Sequence, residues 1–321
     1  MKKIMLSLGL LLSLGSFAQD ASFSQLFNAP LLLNPALTGN FEQGKWRISG
    51  LYRNTSFGSM RSFNTGTIAL DHRVNAKWLS ANERLGVGVY GYVDESNGGA
   101  LKSSYFAFST AFNKAMNTAG TSHFGIGLQG VAASRRLDVG KLYYEDQFGS
   151  GGFVAPASSD ITAKGGSDTY FDLNAGINFS HTGTKCGFEI GASIFHVGEP
   201  TDAFRSDGYH TPMRTCLSGK GYIKLKGSED RLVAQLLYQT QGEMNYTQGG
   251  LYFSKNLSFA SKGNTSLDIG ALSRNTNVII PYLGLGMGNT KGALTYDVTW
   301  NKSKMSGLNR QSLEVMLTYN F

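Results

Sequence analysis

About fourteen stretches of roughly ten residues along this chain alternate apolar with polar or small side chains, and that period of two constrains the fold more than any other feature. An extended chain sends successive side chains to opposite faces, so each stretch has one greasy face and one polar face. The stretches lie near residues 45–54, 63–73, 84–94, 101–114, 121–135, 168–180, 185–195, 214–227, 230–241, 244–255, 265–274, 278–288, 291–300 and 310–321. In the sixth, Phe171, Leu173, Ala175, Ile177 and Phe179 oppose Asp172, Asn174, Gly176 and Asn178. In the thirteenth, Leu294, Tyr296, Val298 and Trp300 oppose Thr295, Asp297 and Thr299. The last puts Leu313, Val315, Leu317, Tyr319 and Phe321 on one face, and only Met316 spoils the polar face of Glu314, Thr318 and Asn320. No apolar run past the first residues approaches the ~18–20 needed for a membrane-spanning helix.

An all-β fold follows, and composition selects its surroundings. Charged residues are only 16% of the chain and apolar ones an ordinary 41%, while Gly contributes 41 of 321 residues and Pro only 6. A soluble domain so poor in charge needs a large apolar core, whereas here the apolar residues arrive in alternation. A closed wall with lipid outside and a polar lumen inside fits both facts. The expected fold is a transmembrane antiparallel β-barrel of about 14 strands over residues 45–321, with a soluble β-sandwich as the alternative. An even strand count places both barrel ends in the periplasm, so connections after odd strands should be external and long. The two longest gaps, 136–167 and 197–213, do follow the fifth and seventh stretches, and the tight turn Gly288-Asn289-Thr290-Lys291 follows an even one. The very short gap after the ninth stretch and the longer ones at 74–83 and 256–264 fit the rule less well. Inward Asp172, Asn174, Glu189, Lys220 and Asp297 make the lumen polar, and Trp46, Tyr52, Tyr105, Tyr238, Tyr282, Trp300 and Tyr319 fall near stretch ends, where interfacial girdles sit.

The two chain ends carry their own signals. Met1-Lys2-Lys3 precedes a short apolar run from Ile4 to Leu14 and then Ser16-Phe17-Ala18, which together read as a secretory signal peptide, residues 1–18, cut after Ala18. Without Lys2 and Lys3 the chain keeps 27 basic against 22 acidic residues, a net +5, but no basic run or basic-aromatic cluster points to nucleic acid. Cys186 and Cys216 open the seventh and eighth stretches, which start at opposite membrane surfaces, so two free thiols are expected. Residues 19–44 are too apolar for a free tail, with Phe23, Leu26, Phe27, Leu31, Leu32, Leu33, Leu37 and Phe41, and Pro30 and Pro35 exclude a regular helix. This segment is expected to pack at the barrel mouth or in the lumen, as a plug or a docking element, or else as a plain N-terminal strap.

Catalysis finds little support. His72, His123, His181, His196 and His210 are scattered, and no nucleophile or zinc-hydrolase motif occurs. Asp160 and Asp168 match no calcium-loop spacing. We expect no enzyme, no cofactor and no metal.

After the signal comes Gln19-Asp20-Ala21-Ser22-Phe23-Ser24-Gln25, followed by Leu33-Asn34-Pro35-Ala36-Leu37-Thr38-Gly39. Further on stand Tyr52-Arg53-Asn54, Phe63-Asn64-Thr65, Gly86-Val87-Gly88-Val89, Asp146-Gln147-Phe148, His196 with Pro200, Leu294-Thr295-Tyr296-Asp297-Val298 and Tyr319-Asn320-Phe321. Their order resembles the PorP/SprF family of Bacteroidetes outer-membrane proteins over nearly the whole mature chain, with Ala21 where that family usually has Pro. The resemblance implies the cell outer membrane and its lipid as the setting, and the type IX secretion system and gliding motility as the context. It implies a partner that helps export or anchor a large surface adhesin through the adhesin's C-terminal signal domain. Candidate partner-binding residues on this reading are Phe23, Gln25, Phe27, Leu32, Asn34, Pro35, Asp146, Gln147 and Phe148. Tyr319 and Phe321 are the expected assembly signal. The polar lumen leaves a passive outer-membrane porin for small solutes as the alternative.

Overall fold

The period of two persists through most strands of the computed structural model, which describes residues 22–57, 63–80, 82–149, 152–153, 165–201, 210–257, 265–299 and 310–321, and is weakest over 214–224. The signal peptide and its cleavage site, Asp160, Trp300 and parts of both long loops lie outside the described residues. The barrel strands are β1 (Trp46–Phe57), β2 (Phe63–Val74), β3 (Arg84–Ser96), β4 (Leu101–Ala115), β5 (Ser122–Leu137), β6 (Gly166–Thr182) and β7 (Cys186–Phe195). They continue as β8 (Arg214–Lys224), β9 (Arg231–Gln241), β10 (Met244–Asn256), β11 (Thr265–Arg274), β12 (Val278–Met287), β13 (Thr290–Thr299) and β14 (Arg310–Asn320). Each pairs antiparallel with its neighbours in sequence, and β14 returns to β1, so the sheet is a closed barrel of fourteen strands with no free edge. No helix among the described residues is long and apolar enough to cross a membrane.

Side-chain alternation sets the register. In β1, Arg47, Ser49, Leu51, Arg53 and Thr55 are buried inward, while Trp46, Ile48 and Tyr52 face out. In β14, Ser312, Glu314 and Met316 are buried, while Leu313, Val315, Leu317 and Tyr319 form part of the outer apolar band. The seam pairs Arg47 with Asn320 and runs in register to Phe57 with Arg310. A slip of one residue would turn both faces inside out. Phe321 extends the seam, because its carbonyl accepts from the amides of Lys45 (2.7 Å) and Trp46 (2.8 Å) while its own amide donates to the Trp46 carbonyl (2.9 Å).

Both barrel termini share one end with the connections after the even strands. The opposite end carries the long β5–β6 connection, in which Phe148–Gly149 pairs with Gly152–Phe153 as a small hairpin. It also carries the two-residue β9–β10 turn, tight because Gly242 adopts φ 56°. The two longest connections, after β5 and β7, leave from the end opposite the termini, which makes the terminus-bearing end the periplasmic one by the rule for outer-membrane barrels. Two of the aromatic assignments need correcting. Tyr282 is 5% exposed and packs inside with Tyr252 and Met316, and Tyr105 faces the lumen beside Tyr92. Proximity to a strand end does not decide which face a side chain takes; parity along the strand does. Cys186 and Cys216 are both free, the first exposed and the second buried.

Candidate functional site

Residues 22–41 touch the wall from nearly every side, which is possible only inside the lumen. Ser24 and Gln25 bond β10, β11, β13 and β14, Leu31 bonds β5, Asn34 bonds β6 and β7, Thr38 bonds β4 and Gly39 bonds β2. The local fold follows from the prolines. Leu26–Asn28 forms a 3-10 turn, Pro30–Leu33 a single α-turn and Pro35–Leu37 another 3-10 turn. Each Pro opens a turn, where its missing amide costs nothing. Between the last two turns Asn34 is extended (φ −161°, ψ 121°), as a residue before proline prefers, and its side chain accepts from the Ala36 amide at 2.9 Å.

Apolar side chains anchor this segment to three inward clusters. Phe23 joins Leu51, Tyr252, Tyr282 and Met316; Leu26, Leu33 and Leu37 join Phe195 and Leu237; Leu31 joins Ala69, Tyr90, Ala107 and Val131. Met316, the one apolar residue on the polar face of the last strand, belongs to the inward cluster that takes Phe23. Burying each large side chain contributes ~1.5–3 kcal/mol.

Two different kinds of polar contact complete the fit. Around residues 22–33 the wall addresses the main chain through side chains. Glu314 accepts from the amides of Ser24 (2.8 Å) and Gln25 (2.6 Å), Gln248 donates to the Ser24 carbonyl (2.6 Å) and Arg53 donates to the Ser22 carbonyl. Gln129 donates to the Leu31 carbonyl (3.0 Å) and Ser193 to the Leu33 carbonyl (2.8 Å). Arg53 and Arg274 both pair with Asp297, and Ser24 Oγ donates to the same carboxylate at 2.9 Å. Around residues 34–41 wall side chains also bond the main chain, and a close steric fit is added to them. A Cβ on Gly127 would lie 2.3 Å from the Ala36 nitrogen, and one on Gly86 would lie 2.0 Å from the Thr38 carbonyl oxygen. Only glycine lets these two backbones meet. Asp71 adds a carboxylate that accepts from the Gly39 amide (2.7 Å) and pairs with Arg47, which also donates to the Leu37 carbonyl (3.1 Å).

The segment divides the lumen into two vestibules that share no lining residue. The outer one, about 550 Å³, has Phe23, Leu26 and Leu32 as its floor, with Tyr90, Tyr92 and Tyr105 among its walls. There His196 Nδ1 pairs with Asp172 at 2.6 Å. The periplasmic one, about 510 Å³, is lined by Phe27, Pro30 and Phe41 beside Glu189, Lys220 and Lys291. Among the described residues, no group of three or more His, Cys, Asp or Glu is placed to hold a metal ion.

The residues singled out from the sequence fall in three places. Phe23, Gln25, Asn34 and Pro35 are buried against the wall, while Phe27 and Leu32 are half-buried and keep surface on the periplasmic and outer vestibules. Asp146 is exposed and Gln147 buried in the β5–β6 connection, where Gln147 Oε1 accepts from the Tyr144 amide at 2.8 Å and Phe148 opens the small hairpin. Tyr319 and Phe321 face outward, stack at 5.5 Å and continue to Trp46 and His72 as one aromatic cluster at the periplasmic rim. The wall residues Glu314, Arg53, Arg274, Gln248 and Asp71 are not among the binding residues expected from the sequence. A charge on the inward face of a strand was the available signal, but a water-filled lumen would have explained it as well.

Solved structures with this architecture include the Pseudomonas putida toluene transporter TodX, at 11% identity over 95% of both chains (TM-score 0.52). A TodX monoaromatic hydrocarbon channel mutant aligns at 10% identity over 92% of this chain and 94% of that one (TM-score 0.56). A Pseudomonas aeruginosa FadL homologue aligns at 11% identity over 90% and 93% (TM-score 0.50). Such identities speak for the fold alone. Among curated proteins none matches. The family model described as type IX secretion system membrane protein PorP/SprF matches residues 15–319, and the chain belongs to that family of outer-membrane β-barrels.

Proposed function

We propose that the protein is an outer-membrane partner of the type IX secretion system that assists export or surface anchoring of a large adhesin-like cargo by engaging its C-terminal domain. Family membership supplies the secretion context. The observation that carries the reading is the filled lumen: residues 22–41 occupy the bore from Ser22 in the outer vestibule to Phe41 in the periplasmic one. A passive pore needs a continuous water path, whereas a docking scaffold needs rigid external loops and a sealed membrane. On this reading the exposed β5–β6 connection around Asp146 and the outer vestibule meet the cargo, and the buried N-terminal residues hold the wall in shape for it. Gliding motility is the process such an adhesin serves.

The test is retention of an adhesin C-terminal domain by the purified barrel in detergent, with single-channel recording on the same preparation. Retention with negligible conductance supports the reading. Conductance with no retention supports instead the second reading, a small-solute channel, which the two vestibules and the likeness to the toluene transporter TodX favour. In cells, deleting residues 21–40 should leave the barrel inserted and abolish adhesin display; normal display would rule out a role for the segment in that display.

A further inference from the structure

We propose that the seat of residues 22–33 is an exchangeable peptide-binding site, filled here by the chain's own segment and open to a peptide of another chain that follows the same turned path when that segment swings out about Asn34. This inference rests on the lumen geometry and does not require the secretion reading.

Three observations carry it. The first is what the wall recognises. Glu314, Gln248, Arg53, Gln129 and Ser193, each at most 3% exposed, bond main-chain atoms of Ser22, Ser24, Gln25, Leu31 and Leu33. Groups aimed at amides and carbonyls accept any peptide of suitable shape, since every residue but proline carries the same donor and acceptor. The second is the cost of an empty seat. Buried acceptors and donors left without partners are destabilising, so departure of the segment favours replacement by another main chain. The third is the asymmetry of attachment. Residues 34–39 are locked by the backbone approaches at Gly86 and Gly127, whereas residues 22–33 are held by side chains alone and end at the outer vestibule. Extended Asn34, between two helical turns, is the joint.

The incoming peptide enters from the outer vestibule and takes the same turns as residues 22–33, with an apolar residue for the place Phe23 occupies against Tyr92 in the cluster that holds Met316. Its main chain takes up the Glu314 carboxylate through two consecutive amides.

The experiment uses the full chain carrying Cys186→Ser and Cys216→Ser, with either Ser24→Cys or Thr38→Cys. Both positions are fully buried, and both changes nearly conserve volume. A membrane-impermeant methanethiosulfonate should label position 24 about tenfold or more faster than position 38, because only the first lies on the opening half. A synthetic peptide with the sequence of residues 22–33 should accelerate labelling at 24 saturably and leave 38 unchanged. The same peptide N-methylated at the two amides facing Glu314 should be weaker by about tenfold or more, as loss of charge-assisted bonds predicts. Equal labelling at both positions, protection of 24, or no difference between the two peptides would overturn the proposal. If a variant fails to insert, hydrogen exchange on the unsubstituted chain, comparing residues 22–33 with 34–39 with and without peptide, decides the same question.

Discussion

Single residues show how closely wall and lumen-filling segment are matched. Gly86 and Gly127 stand on the inward face of β3 and β5, where a side chain would occupy the same space as the backbone at Thr38 and Ala36. Gly86→Val should therefore lower stability by ~1–3 kcal/mol through overpacking, read as a shift in heat-induced unfolding in detergent. A substitution at Gly91, where an added Cβ would meet nothing within 4 Å, should be silent by the same assay. Glu314 is the opposite case, a buried carboxylate satisfied by two amides, with Arg53 nearby at 3.9 Å. Glu314→Ala leaves those amides and part of the arginine charge unmatched, and should cost ~3–5 kcal/mol in denaturant unfolding. Glu314→Gln keeps acceptor capacity and should cost less.

At the scale of elements, the closing strand and one periplasmic turn invite separate tests. Phe321 contributes three main-chain bonds to the β1 seam beyond the end of β14 and stacks with Tyr319 at the rim. Removing it should forfeit ~0.5–1.5 kcal/mol per bond and reduce the heat-modifiable, membrane-assembled fraction, measured by gel shift of outer-membrane preparations. In the β8–β9 turn, Asp230 accepts from Lys255 Nζ (2.9 Å) and from the Asn256 amide (2.8 Å), and these bonds hold its carboxyl below the usual aspartate range. A depressed carboxyl stabilises the fold fully above its unfolded value and loses that contribution as pH falls through the folded one. Amide exchange at Asn256 should thus stay slow from neutral pH down through the ordinary aspartate range and quicken only below it. Asp230→Asn should remove that dependence.

For the whole molecule, the decisive property is that a wall of fourteen strands encloses a segment of its own chain. Barrels of this strand number are wide enough for an interior that side chains from the wall do not fill. Here residues 22–41 fill it, with apolar clusters on several sides and charge pairs at two ends. Current through planar bilayers should accordingly be small for the intact protein and rise clearly when residues 22–41 are removed. Unchanged conductance on removal would mean that the segment does not limit passage.

The sequence by itself determined the wall. Strand parity is a local property, so Leu313 to Phe321 announced an outer face and the fourteen stretches their count, order and antiparallel closure. The apolar character of residues 19–44 announced that this piece needed cover, since exposed Phe and Leu side chains do not stay in water. Only the tertiary structure decided where that cover lies. Tyr282 and Tyr105, expected at the rim, turn inward; Met316, the exception on a polar face, lies in the cluster that takes Phe23. Glu314 and Gly127 gained meaning only from partners 289 or more and about ninety residues away in the chain, as their bonds and close approaches show. Alternation along a strand fixes which way a side chain points. What it meets there depends on closure of the barrel, which brings distant segments together and is written in no local stretch.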